Sequence, residues 1–238
     1  MRAVLTFHAI DDSGSVLSFP PRRFAALIET LASSGIPVVS FDDLLRRRTG
    51  VTLTFDDGMR SVHDHAMPVL RAHGFPAQLF LTTGSVGSDN GWPTQPRSAP
   101  RFDMLTWGQI ESCVQHGLTI EAHTATHPDL RTLGDDAIVN ECAAADEEIA
   151  RRVGRRPRLF AYPYGLVDER VRRVTNALYA GCFSTRLSYL EDDPDLTDIP
   201  RLDTYFVRSL PLFDHVLSRK TRGYIALRSA IRTVRGKA

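Results

Sequence analysis

Short apolar runs alternate with amphipathic stretches along most of this chain, and that alternation argues for repeated βα units around a largely parallel sheet. Candidate strands fall near residues 2–7, 37–40, 51–55, 77–82, 118–122, 158–162, 181–185 and 199–202. Helical signatures lie between them. Phe24, Leu27, Ile28 and Leu31 recur at helical spacing before Gly35, a stop residue. Thr106 with Gln109 reads as a capping box opening a helix that ends near Gly117. Ile138, Cys142, Ala145, Ile149 and Val153 form a further stripe, closed by Gly154. With no internal repeat and no clear linker, one α/β domain is expected.

The 238 residues can bury a substantial core, and 42% hydrophobic with 24% charged residues is the balance of a soluble globular protein. A net charge of +1 gives no electrostatic reason to expect nucleic acid as a partner. Cys113, Cys142 and Cys182 are widely spaced and odd in number, which fits partly buried reduced thiols better than a disulfide framework or a CxxC metal site. The apolar run after Met1 is too short for a signal-peptide core, and nothing approaches the roughly 20 apolar residues of a membrane span. A cytoplasmic location is the expectation.

The run from Val51 to Phe55 ends in Asp56, Asp57 and Gly58. Buried carboxylates are costly unless a cation, hydrogen bonds or protonation compensates, so an acid pair at a strand end suggests a metal or a proton to handle. Asp-Gly is equally a common turn signal. His123 and His127, four apart after another apolar run, can turn both imidazoles to one side and hold a divalent ion, or they are ordinary loop histidines. With Asp56 and Asp57 they supply the mixed nitrogen and oxygen donors of a catalytic zinc site with an open position, a set that also suits other first-row ions. His8, the Asp pair, His123 and Tyr164 each follow a different candidate strand. Residues just beyond the carboxyl ends of parallel strands converge on one face, so these separate segments are expected to share one cleft.

Tyr162-Pro163-Tyr164-Gly165 adds a third segment. Thr54-Phe55-Asp56-Asp57-Gly58, then His123-x3-His127-Pro128, then Tyr162-Pro163-Tyr164-Gly165 resemble, in order, the first three motifs of the polysaccharide deacetylases. This is carbohydrate esterase family 4, with its NodB homology domain, and the resemblance runs from about Leu5 to about Leu202. It implies a distorted (β/α)7-type barrel. It also implies Asp57, His123 and His127 as ligands of a divalent metal, Zn2+ first and Co2+, Ni2+ or Mn2+ as alternatives. Asp56 would be the catalytic base, and the backbone N–H of Tyr164 would hold the oxyanion. Tyr162 and Pro163 would shape the sugar-binding wall. The implied activity is hydrolysis of the N-acetyl group of an N-acetylhexosamine-containing glycan, oligosaccharide or glycolipid.

The chain departs from the family pattern in two places. The arginine that pairs with the base in the third motif is replaced by Ala161, and Arg201 is the candidate substitute, with a surface arginine as the alternative. The late Leu-x-His motif is missing, and His215 is poorly placed to replace it. Thr6-Phe7-His8-Ala9-Ile10 instead resembles the N-terminal histidine motif of the permuted branch that acts on poly-N-acetylglucosamine. Imidazole, which titrates near about 6.5 when unperturbed, suits proton donation to a leaving amine. A histidine bonded to backbone at the core edge is the alternative for His8. His63, His65, His73 and His116 fall on helices or at their ends and read as surface or structural groups.

The connection from Gly84 to Asp103 is long and rich in Gly, Ser and Pro, as functional lids and poorly ordered loops both are. Trp92 within it can stack on a sugar ring or pack the loop. From Arg219 to Lys237 seven basic residues and no acid accompany Ile225, Leu227, Ala230, Ile231 and Val234. This is a basic helix, either solvated and packed on the barrel or in peripheral contact with anionic lipid at the inner face of a membrane. The expected division is a barrel over 1–210 and a basic helical extension over 211–238. Two other functions fit the same residues: removal of an O-acetyl or N-formyl group from a sugar, and glycan binding without catalysis. Oligomeric state is not encoded in any motif.

Overall fold

The computed structural model describes residues 1–95, 99–206 and 215–234. Seven parallel strands form one sheet: β1 (Arg2–Phe7), β2 (Gly50–Asp57), β3 (Ala77–Leu81), β4 (Leu118–Ala122), β5 (Leu159–Ala161), β6 (Gly181–Phe183) and β7 (Leu202–Asp203). Their order is β6-β5-β4-β3-β2-β1-β7, so the first and last strands are neighbours, with Leu5 opposite Leu202. The two edges curl toward each other. Phe183 forms a parallel bridge with Ile199, in the segment leading into β7, and Ile199 N donates to Cys182 O at 2.8 Å. The result is a distorted α/β barrel of seven strands, as expected.

Two expected strands shrink for a common reason. Around 37–40 only Val38 bridges, to Val51, because Pro37 has no N–H to give the ladder. Likewise Pro200 delays the last strand until Leu202.

The period of two along each strand separates two apolar layers. Ala3, Leu5, Phe7, Val51, Leu53 and Phe55 face the outer helices. These include α1 (Pro21–Ser34), α3 (Met67–His73) and α4 (Trp107–Val114). Phe7 sits edge-on to Phe19 and Phe24, each 5.2 Å between ring centroids. Val4, Phe80, Leu159, Ala161 and Phe183 face the barrel interior. The short helix α2 (Phe41–Leu45) inserts Phe41 and Leu44 into that inner layer, beside the amino end of β2. Thr52, Thr54 and Asp56 share the inward register of β2, and Thr6 Oγ1 lies 3.1 Å from Thr54 Oγ1.

α5 (Asp135–Val153) and α6 (Glu169–Asn176) cover β4 to β6 through Ile138, Cys142 and Val171. The expected capping box at α4 is formed: Thr106 N donates to Gln109 Oε1 at 2.9 Å, and Gln109 N to Thr106 Oγ1 at 3.3 Å. The three cysteines are free and buried. α7 (Arg219–Val234) buries Thr221 and Ile225, the latter in the same core as the barrel, while Leu227 is exposed. The expected boundary at 210/211, and Arg235 and Lys237 of the basic run, lie outside the described residues. Among the described residues no helix is long and apolar enough to cross a membrane.

Candidate active site

At the carboxyl ends of the strands a cavity of about 380 Å³ is lined by His8, Asp56, Asp57, Trp92, His123, His127, Tyr162, Tyr164 and Arg201, among others. Segments that lie apart in sequence therefore meet where a parallel barrel collects its functional groups.

Asp57 Oδ1 is 3.3 Å from His123 Nε2 and 3.4 Å from His127 Nε2, and the two Nε2 atoms are 3.2 Å apart. Ligand atoms at roughly 2.0–2.1 Å from a tetrahedral ion are separated by about 3.3–3.4 Å, so this triangle is the size of one face of such a site. Among the described residues this trio is the group able to hold a metal ion. All three residues are buried. His123 Nδ1 pairs with Ala161 O at 2.7 Å, which fixes the ring and leaves Nε2 facing the cluster. Burial, the largest influence on Asp57, pushes its pKa up, but hydrogen bonds from His123 and His127 and nearby imidazole charge outweigh it and hold the carboxyl well below the usual range. For His127, burial dominates and lowers the pKa despite the pull of Asp57.

The backbone is strained where these groups converge. Among the described residues, the non-glycine positions with positive φ are Asp57 (71°), Thr124 (66°), His127 (57°) and Tyr164 (60°), and three of them line the cavity. Gly58 follows Asp57 at φ 104°, and a Cβ there would meet Leu81 Cδ1 at 2.5 Å, so the Asp-Asp-Gly turn requires glycine. The His123–His127 turn is tied from within, where His127 N donates to Thr124 Oγ1 at 3.0 Å. From α5, Glu141 accepts from Ala125 N (3.1 Å), Thr126 N (2.9 Å) and Thr126 Oγ1 (2.7 Å).

Arg201 is 2% exposed and grips Asp56 with two hydrogen bonds, Nη1 to Oδ1 and Nη2 to Oδ2, each 2.7 Å. Its Nε donates to Ser184 O at 3.0 Å, and its guanidinium carbon lies 5.6 and 6.0 Å from the Phe80 and Phe183 ring centroids. Burial pushes the Asp56 pKa up, but the charge of Arg201, then of His8 and His123, leaves it net lowered. Ala161 offers only a methyl group to the inner layer.

His8, just beyond β1, points Nε2 toward Asp56 Oδ2 at 3.9 Å, with its side chain 23% exposed. Tyr162 lines the cavity, but its hydroxyl turns to Thr197 O (2.9 Å) and Thr175 Oγ1 (3.1 Å), and the residue is fully buried. Pro163 is buried in the 3-10 turn that carries Tyr164. Trp92 stands in the wall less as an open platform than as a cover: it is 6% exposed and its ring lies on His127, centroids 4.2 Å apart. His63, His65, His73, His116 and the exposed His215 lie outside this cavity.

Sequence reasoning missed three groups. Glu141 sits on an amphipathic helix with nothing to mark it. Thr94, in the aperiodic loop, donates to His127 O at 2.9 Å. Asp203 lines the cavity at the end of β7, and burial raises its pKa although the charge of His8 opposes this. Its position beyond a strand was the one available signal.

The family model described as polysaccharide deacetylase matches residues 46–180, more than half of the chain. YxkH of Bacillus subtilis is 26% identical over 174 residues, covering 70% of this chain and 57% of that protein. The poly-beta-1,6-N-acetyl-D-glucosamine N-deacetylase of Staphylococcus aureus is 24% identical over 184 residues, covering 72% and 59%. The chain thus spans under three fifths of the length of these curated relatives. Among solved structures, IcaB from Ammonifex degensii superposes with a TM-score of 0.74 at 24% identity, covering 87% of this chain and 95% of that one. The Streptococcus pyogenes deacetylase PplD gives 0.73 at 21%, covering 84% and 91%. These likenesses carry the fold. Together with the three ordered motifs, the family match means that the chain belongs to the polysaccharide deacetylase family.

Proposed function

We propose that the protein is a metal-dependent hydrolase that removes the N-acetyl group from an N-acetylhexosamine-containing glycan, oligosaccharide or glycolipid. The observation that carries this reading is the meeting, in one cavity, of a three-donor metal cluster with a carboxylate held ionised by a buried arginine. The S. aureus relative, named as an N-deacetylase, points the same way.

Asp57, His123 and His127 would hold the ion, and two imidazoles with one carboxylate favour zinc. When bound, the ion lowers the pKa of a water and polarises a carbonyl. The residues of the chain do the rest. Asp56, kept anionic and oriented by Arg201, accepts the proton of the attacking water. The backbone N–H of Tyr164, on its strained turn, stabilises negative charge on the acetamide oxygen. His8, with Nε2 3.9 Å from Asp56 Oδ2, gives a proton to the departing nitrogen, since a neutral amine leaves far more readily than an amide anion. The paired base also argues against a barrel that only binds glycan, because Arg201 supplies the contact that Ala161 cannot.

Acetate release would be measured from N-acetylglucosamine oligomers, lipid-linked sugars, sugar nucleotides and O-acetyl esters, with chelator and zinc add-back. Chelator-sensitive release from an amide is the expected result. Release from esters alone would replace this reading with an O-acetyl esterase, and glycan binding with no release from any substrate would replace it with a non-catalytic barrel.

A further inference from the structure

The two metal-cluster histidines are held in different ways. His123 has the usual outer partner, a carbonyl on Nδ1. His127 Nδ1 is buried and has no hydrogen-bond partner among the described residues. Its ring is instead boxed by aromatics: Trp92 lies over one face at 4.2 Å and 30°, and Tyr164 meets it edge-on at 4.5 Å and 77°. A ligand at φ 57° with no bond on its second nitrogen needs another source of alignment.

A hydrogen-bond chain closes the box, and its direction is fixed. Indole N–H can only donate, so Trp92 Nε1 gives its proton to Tyr164 Oη at 2.9 Å. A carbonyl can only accept, so Thr94 Oγ1 gives its single proton to His127 O at 2.9 Å. The 2.7 Å bond between Thr94 Oγ1 and Tyr164 Oη must then run from the tyrosine to the threonine. Every hydroxyl proton in the ring is assigned. The loop bearing Trp92 and Thr94 is docked to the same turn at its base, where Gly84 N donates to Ala125 O at 2.8 Å; a Cβ on Gly84 would lie 2.6 Å from that oxygen.

We infer that Trp92 and Thr94 are positioning residues that lock His127 and Tyr164 into one unit, fixing the metal-binding imidazole relative to the backbone N–H assigned to the oxyanion. The inference rests on the reading of Asp57, His123 and His127 as a metal site. Loss of the Thr94 hydroxyl frees the carbonyl of His127 and takes away the acceptor of the Tyr164 proton, and loss of the Trp92 indole donor removes the other bond to Tyr164 Oη, so both metal affinity and turnover depend on this loop.

The test uses the full chain with Thr94→Val, which keeps shape and removes the proton, and Trp92→Phe, which keeps an aromatic cover and removes the donor. Zinc affinity is read by competition with a chromophoric chelator, cobalt-loaded protein by its visible spectrum, and folding by thermal melting of the metal-free protein. Outer-partner losses typically weaken metal binding by about 10–100-fold. We expect weakening of about tenfold in each variant, a changed cobalt spectrum, a fall in kcat exceeding any change in KM at saturating metal, and melting close to the parent. Parent-like zinc affinity and cobalt spectra in both variants would overturn the inference while leaving the metal site intact. Failure of the parent itself to bind zinc would overturn both, and would be seen in the first titration.

Discussion

Arg201 and Asp56, 145 residues apart, are joined by two parallel hydrogen bonds of 2.7 Å inside the barrel. Arg201 immediately precedes β7, which pairs with β1, so the chain entering the last strand delivers the arginine past β1 to an acid on β2. A bidentate, stacked guanidinium of this kind sets both the orientation and the charge of the carboxylate.

Replacing Arg201 by Met should leave Asp56 buried and uncompensated, a loss of about 3–5 kcal/mol of stability at neutral pH. In the parent the depressed Asp56 pKa contributes stability above the unfolded carboxylate pKa of about 3.9, lost as pH falls through the folded value. Without Arg201 burial would raise the pKa, so the variant should be most destabilised at neutral pH and least near pH ~4. The acid limb of its pH–rate profile should move up. Melting curves at several pH values check this, and Arg201→Met with Asp56→Asn together should recover part of the loss. A uniform loss across pH would contradict the pairing.

Asp56→Asn should lower kcat on the order of 10²–10⁴-fold while zinc still binds, because the metal trio is untouched. Retained turnover would remove Asp56 from the role of base.

His8→Ala should cost on the order of 10²-fold on an acetamide and far less on an activated aryl acetate, whose leaving group needs no proton. Equal losses on the two substrates would argue for a structural role at the end of β1.

Glu121 is 2% exposed and accepts from Arg158 N (2.7 Å) and Leu159 N (2.9 Å) while pairing with Arg155 at 2.6 Å, tying β4 to the start of β5. Glu121→Ala orphans those donors and should cost roughly 2–4 kcal/mol, about 5–15 °C in Tm. Calorimetry on the metal-free protein measures it, and an unchanged Tm would show that water satisfies both donors.

Much of this was legible in the chain because strand ends and motifs are local signals. The apolar run into Asp56-Asp57, the His123/His127 spacing and the capping box at Thr106 each announce themselves within a few residues. The strand expected at 37–40 failed because a proline weakened a ladder that the apolar pattern alone suggested. Thr94 and Glu141 were invisible for a different reason: their roles depend on which loop and helix the barrel brings beside the histidine turn, and neither carries periodicity that encodes a partner. Likewise the left-handed conformations of Asp57, Thr124, His127 and Tyr164 carry no sequence signal, since none of the four is glycine, the residue that adopts them freely.

On the proposed function, amide hydrolysis depends on a metal held at the Asp57–His123–His127 cluster. The direct measurement is zinc bound per chain together with acetate release from an N-acetylglucosamine oligomer, for the parent and for His127→Ala, after stripping and stepwise zinc return. One zinc per parent chain, with acetate release rising in step with occupancy, and neither in His127→Ala at the same zinc, is the predicted result. Full acetate release from stripped parent protein, or from His127→Ala, would contradict it.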